Sequence, residues 1–327
     1  MAGFAALPPV ASAETVGAFE VTDSQNVYEY KYENGVLTIL KGDNYNRLSI
    51  KNADPDAPTK DRIEVADGAG IVGIALEGVN INVSSLDDTA AIKVNGSSKL
   101  YISVAGGKNT LKSGKNCAGI QLSGTDVEMS IDASDVNGLT VTGGAGGAGV
   151  GGGKGCEGAN ITVKGVITAT GGAGAAGIGG GAGGSGSNIT VNSNQYWPGS
   201  CIITATGGEY GAGIGGGNGG SGSGITINGS AVVAAGGAGA AGIGGGKGGA
   251  GSDITITGGT VTAAGAQDGG SAGAGIGGGA DGEGANIMIS GGSVKAAAGT
   301  GANDIGGGSG KDAVTPTDGL GMVYLAE

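Results

Sequence analysis

Short runs in which Ile, Val or Leu alternate with Thr, Ser, Asn or Lys recur along most of the chain, separated by runs of glycine. One ladder is Ile161-Thr162-Val163, Ile189-Thr190-Val191, Ile225-Thr226-Ile227, Ile254-Thr255-Ile256 and Ile287-Met288-Ile289. A second is Leu139-Thr140-Val141, Ile167-Thr168-Ala169, Ile203-Thr204-Ala205, Val232-Val233-Ala234, Val261-Thr262-Ala263 and Val294-Lys295-Ala296. A third is a block of the GAGIGGG type centred on Val150, Ile178, Ile214, Ile243, Ile276 and Ile305, at spacings of 28, 36, 29, 33 and 29 residues. Period-two alternation places the first and third residue of each triplet on one face and the middle residue on the other. Ile and Val are therefore expected inside, with Thr140, Thr168, Thr204, Thr262 and Lys295 outside.

Three strands per period of about thirty residues predict a repeat protein in which each coil completes its core only against its neighbours. The fold expected is all-β: a right-handed parallel β-helix, or β-solenoid, of three short strands per coil and about nine coils, with an N-terminal β-hairpin cap. The two long spacings carry extra residues, Ser193 to Ser200 and Gln267 to Ala272, which read as turn insertions that leave the ladders in register.

Upstream, Ile92-Lys93-Val94, Leu100-Tyr101-Ile102, Ile120-Gln121-Leu122 and Met129-Ser130-Ile131 continue the pattern with ordinary side chains. Glu33-Asn34-Gly35 between alternating runs signals a hairpin. The chain divides into residues 1–13, the remnant of a signal peptide; 14–60, a cap with the hairpin; 61–142, the first coils; 143–310, glycine-rich coils; and 311–327, a C-terminal strand or the start of a further domain.

Composition sharpens this reading. Eighty-one glycines show no three-residue period, so collagen is excluded. Two Phe, one Trp and eight Tyr cannot fill a thick core, but a thin stack of Ile, Val and Ala needs none. The net charge of −12, with 29 of 44 charged residues before position 136, argues against a nucleic-acid partner. Ala11-Ser12-Ala13 before Glu14 matches an export cleavage site, so a secreted or cell-surface location is expected, and no apolar run reaches membrane-spanning length. Cys117, Cys156 and Cys201 occupy different places in the repeat; they read as small buried residues rather than a disulfide pair.

The run Asp61-Arg62-Ile63-Glu64-Val65-Ala66-Asp67-Gly68, the segment Gly107 to Gly114 leading to Cys117-Ala118-Gly119-Ile120, and the GAGIGGG blocks resemble glycine-rich bacterial cell-surface proteins of the carbohydrate-binding-domain-containing type. The resemblance spans about residues 28–325. It implies a right-handed β-helix similar to that of pectate lyases and a surface location, and it carries no binding-site signature onto particular positions. The strand-like end, Val314 to Leu325, is expected to continue into further domains of a longer surface protein.

The chemistry expected of an enzyme is thin. No histidine is present, which removes His-based triads and His-rich zinc sites. The two arginines, Arg47 and Arg62, lie near the cap. Asp54, Asp56, Asp61, Asp67, Asp87 and Asp88 make calcium the one cofactor conceivable, although turn aspartates serve local hydrogen bonds first. Glu157, Glu209, Asp268, Asp281 and Glu283 form no repeated carboxylate pair of the glycosidase kind. Asn160, Asn188, Gly224, Asp253 and Asn286 fall at one place in the repeat and read as a corner ladder of side-chain hydrogen bonds, not as a calcium β-roll.

Tyr196, Trp197 and Tyr210 are the candidate glycan contacts, since flat rings with polar edges suit sugar faces; the competing reading makes Trp197 a lid over its coil. Three function classes follow: a non-catalytic structural spacer or adhesin, a module binding a polysaccharide or a host or cell-surface glycan, and a polysaccharide lyase. Ice binding through the Thr rows ranks below these, because Val233 and Ala235 interrupt them.

Overall fold

β-Branched residues at every second position favour extended backbone, and glycine between them lets the chain turn sharply. In the computed structural model, which describes residues 13–124, 126–193 and 202–312 and the strands Thr317–Asp318 and Met322–Leu325, these runs form strands that stack in parallel as a β-solenoid of about nine turns. The expected ladders all hold. In an eleven-stranded sheet, Leu37, Ile63, Ile92, Ile120, Val150, Ile178, Ile214, Ile243, Ile276 and Ile305 lie directly above one another and are buried.

The other two strands of each coil belong to an eighteen-stranded sheet. One ladder there runs Val72, Leu100, Met129, Ile161, Ile189, Ile225, Ile254, Ile287. The other runs Ile81, Leu111, Val141, then Ala169, Ala205, Ala234, Ala263 and Ala296. The change from Leu and Val to Ala in this last ladder thins the core as the glycine-rich coils begin. Thr140, Thr168 and Lys295 are exposed and Thr204 and Thr262 partly so, as alternation requires.

Separate strands were expected at each corner, but in three coils the second and third run through it as one bent strand, Gly158–Thr170, Gly222–Ala235 and Gly251–Ala264. Gly165, Gly229 and Gly259 make the bend at φ of +101°, +95° and +94°. In the coil after the first of these, the strands Gly186–Asn192 and Ile202–Thr206 are separate, yet Val191 still pairs with Val163 and Ile203 with Ile167. The second insertion folds as a small hairpin, Gln267–Asp268 with Ser271–Ala272, and Ile276 regains register with Ile243.

At the N-terminal end, Glu29–Glu33 runs antiparallel to Val36–Lys41 through Asn34 and Gly35, both left-handed (φ 51° and 74°), which is the turn that the Asn-Gly pair demands. Phe19–Thr22 runs antiparallel to Leu48–Asn52, so each sheet ends in an antiparallel strand and the fully buried Phe19 plugs the core. Parallel stacking itself starts at Val36–Lys41 and Leu48–Asn52, so the stretch 14–60 supplies the first stacked strands as well as their cover. At the other end Thr317–Asp318 and Met322–Leu325 add in parallel to Met288–Ile289 and Ser293–Ala296.

Candidate functional site

Outside the strands, the coils meet through bare backbone. A Cβ on Gly172, Gly208 or Gly237 would lie 1.9 Å from a carbonyl oxygen of the preceding coil. The amides there bond from coil to coil, as in Gly180 N–H to Gly215 O and Gly216 N–H to Gly244 O, both 2.9 Å. Side chains can stand out only at a few turn positions, and one of these holds Tyr210.

Tyr210 occupies the place in its coil that Gly146, Gly174 and Gly239 hold in theirs, and it keeps their left-handed backbone, φ 69° against 88°, 82° and 71°. A bulky side chain there is strained. Its hydroxyl is hydrogen-bonded to the carboxylate of the neighbouring Glu209, and this bond holds the phenol above its ordinary value. The Lys247 ammonium of the next coil lies 4.7 Å from the ring centroid and pairs with Asp268 at 2.6 Å. That ion pair raises the Lys247 ammonium in turn. Tyr210, Lys247 and Asp268 therefore tie three successive coils together, and the cation covers one face of the ring.

Tyr196 and Trp197 lie outside the described residues. Ser193, the last described residue before them, and Tyr210 are separated in the chain by the strand Ile202–Thr206, itself roughly 17 Å long.

The corner ladder forms as expected. Asn160, Asn188, Gly224, Asp253 and Asn286 all have φ between 50° and 60°. Asn188 Nδ2 donates to Asn160 Oδ1 at 3.2 Å and Asn286 Nδ2 to Asp253 Oδ1 at 3.0 Å. The residue type is set by backbone conformation, because Asn and Asp tolerate the left-handed region best after Gly. Among the described residues no group of three or more His, Cys, Asp or Glu is placed to hold a metal ion.

The cysteines correct one expectation. Cys117 is buried and free, and burial pushes its thiol up; Cys156 is also free but exposed, although its carbonyl accepts from Gly181 N–H of the next coil. Cys201 lies outside the described residues.

Two features had no signal in the repeat pattern. Tyr28, 7% exposed, sends its hydroxyl to the first coil, where it accepts from Gly73 N–H at 3.2 Å and lies 2.7 Å from Gly73 O and 2.8 Å from Asn46 O. It takes the place of a neighbouring strand that stops at Leu48. Beside it, Tyr45, Arg47 and Tyr101 line a recess of about 340 Å³.

These features define a parallel β-solenoid with a capped N-terminal edge and a glycine-packed flank. No family model, curated protein or solved structure matches the chain.

Proposed function

We propose that this protein is a non-catalytic spacer or adhesin of the cell surface or secreted milieu, a rod that holds other parts of a surface assembly apart. The observation that supports this most is the unbroken ladder from Leu37 to Ile305, ten stacked apolar residues that keep register past both insertions. Such a stack has one core and no hinge, so its length is set by the number of coils. Export, suggested by the segment ending at Ala13, fits a protein that works outside the cell.

A second reading, binding of a polysaccharide or cell-surface glycan, draws support from Tyr210. A strained tyrosine at a turn where the coils before and after it use glycine is the kind of cost that a binding role offsets. The resemblance of the sequence motifs to carbohydrate-binding surface proteins with a pectate-lyase-like helix belongs to this reading, as do Tyr196 and Trp197.

Depletion of the purified chain by a panel of insoluble and immobilised polysaccharides, with calcium and with chelator, separates the two. The spacer reading expects no saturable retention on any of them. Retention that is lost in Trp197→Ala or Tyr210→Gly would replace it with the glycan-binding reading.

A further inference from the structure

Tyr45 is 90% exposed, far more than a tyrosine ring in a chain so poor in aromatics needs to be. Its exposure is held in place. The Asp43 carboxylate accepts from the backbone N–H of Tyr45 at 2.9 Å and of Asn46 at 2.6 Å, and from the Asn46 side-chain amide at 2.8 Å. Those donors keep Asp43 below the usual carboxylate range, and Tyr28 fixes the Asn46 carbonyl from inside. The loop is tied from both sides, so a ligand that covers the ring orders little that is not already ordered.

Arg47, exposed at the end of this loop, makes no hydrogen bond or ion pair through its guanidinium among the described residues. An unpaired guanidinium is notable in a chain of net charge −12, where seven lysines do find carboxylates. Its stem rests on the strand at Gly73, where an added Cβ would lie 3.2 Å from Arg47 Cγ and 2.9 Å from Asn46 O, so the glycine is what lets the loop sit down. Tyr101, from the next coil, completes the wall; its hydroxyl faces Glu128 at 3.4 Å, and Glu128 is neutralised by Lys99 at 2.6 Å. Asp43 is the other charge on the lining, and its Oδ1 accepts all three of the loop's hydrogen bonds.

We infer that this recess is a binding site for a carboxylate attached to a flat ring, the carboxylate paired with Arg47 and the ring laid against Tyr45 and Tyr101. Two planar donors of the guanidinium fork match a carboxylate, and phenol faces match a ring edge or face. A cavity of about 340 Å³ takes one ring and its acid group, at the small end of ligand pockets. A heavily acidic partner is disfavoured by the net charge, which leaves a monoanion: a free aromatic acid, or the terminal carboxylate of a peptide ending in an aromatic residue. The site is independent of the spacer reading and stands or falls separately from it.

The test is a titration of the isotope-labelled full chain, followed by amide chemical shifts, with phenylacetate, phenylacetamide, acetate and the dipeptide Gly-Phe. Saturable shifts centred on Tyr45, Arg47 and Gly73 are expected with phenylacetate or Gly-Phe. The neutral amide should bind about tenfold more weakly, as loss of a charge-assisted pair implies. Arg47→Gln should erase that difference, and Tyr45→Ala should bring phenylacetate down to the level of acetate. Both positions are exposed, and an unchanged amide spectrum elsewhere confirms that the variants fold. Tighter binding of Gly-Phe assigns the site to peptide ends, and tighter binding of phenylacetate to free acids. Equal binding of acid and amide, an Arg47→Gln chain that still prefers the acid, or no saturable shift at all would overturn the assignment.

Discussion

Gly215 and Gly219 stand four residues apart in one glycine-rich stretch and meet different demands. At Gly215 the backbone has φ +133° and an added Cβ would lie 2.0 Å from the carbonyl oxygen of Gly244 in the next coil; at Gly219, φ is +77° and nothing lies within 4 Å. Gly215→Ala must therefore push two coils apart, at a cost of about 3 kcal/mol or more from strain and overpacking together. Gly219→Ala bears only the left-handed penalty, about 1 kcal/mol. Urea melts of the two variants should differ by at least the gap between these values, and equal midpoints would mean that the coils are not stacked on their glycines. Both residues read alike in the sequence. Which glycine is irreplaceable depends on what the adjoining coil puts opposite it, and local sequence does not carry that.

Tyr28 makes the same point for a polar group. Tyr28→Phe leaves Gly73 N–H and its carbonyl without their partner and should cost about 1–3 kcal/mol. Burial raises the Tyr28 phenol above its ordinary value, despite the opposing bond to Gly73. The folded state thus holds this proton more tightly than the unfolded chain does. The associated stability is complete below the ordinary tyrosine value of about 10 and is lost as pH rises from there through the raised folded value. Stability measured against pH above 10 should fall less steeply in Tyr28→Phe than in wild type. Identical slopes would remove Tyr28 from the cap's support.

At the scale of the element, strands were legible because their residues obey two constraints at once: alternation within a strand and identity with the strand one coil away. Ile178, Ile214 and Ile243 could be stacked by counting alone, and the pairing bears this out despite the unequal spacings. Turns obey only local rules, and there the reading was partial. The Asn corner was recognisable because left-handed backbone selects Asn, Asp and Gly. Cys156 was not, since a small residue in a glycine-rich turn carries no mark of which side faces solvent. In a Cys201→Ser variant, one thiol should react with a chromogenic disulfide in the native state and a second only after denaturation. Two fast thiols, or none, would contradict the placement of Cys117 and Cys156. The recess at Tyr45 was likewise hidden, because its residues come from a cap loop and two strands that the repeat brings together without repeating.

The whole molecule is governed by register. Because Ile214 and Ile243 are equivalent positions, removing residues 215–243 joins Ile214 to Gly244 and should delete one coil cleanly. Ile189 would then stack on Ile254, and Ile203 on Val261, through the strands that now pair with the missing one. The shortened chain should keep a cooperative unfolding transition, as repeat arrays do when an internal unit is lost. A deletion out of register, for example of residues 222–240, takes out only part of a coil, would move ladder residues to the surface and should not fold.

Spin labels at Val136, 82% exposed, and Thr300, also exposed, offer the most direct measurement in a cysteine-free background. They flank strands five coils apart, about 24 Å along the axis. A rigid solenoid requires a narrow distance distribution that becomes shorter, still narrow and by no more than the rise of one coil, about 5 Å, when residues 215–243 are removed. A broad distribution, or one that the deletion leaves in place, would contradict a rod whose length is counted in coils.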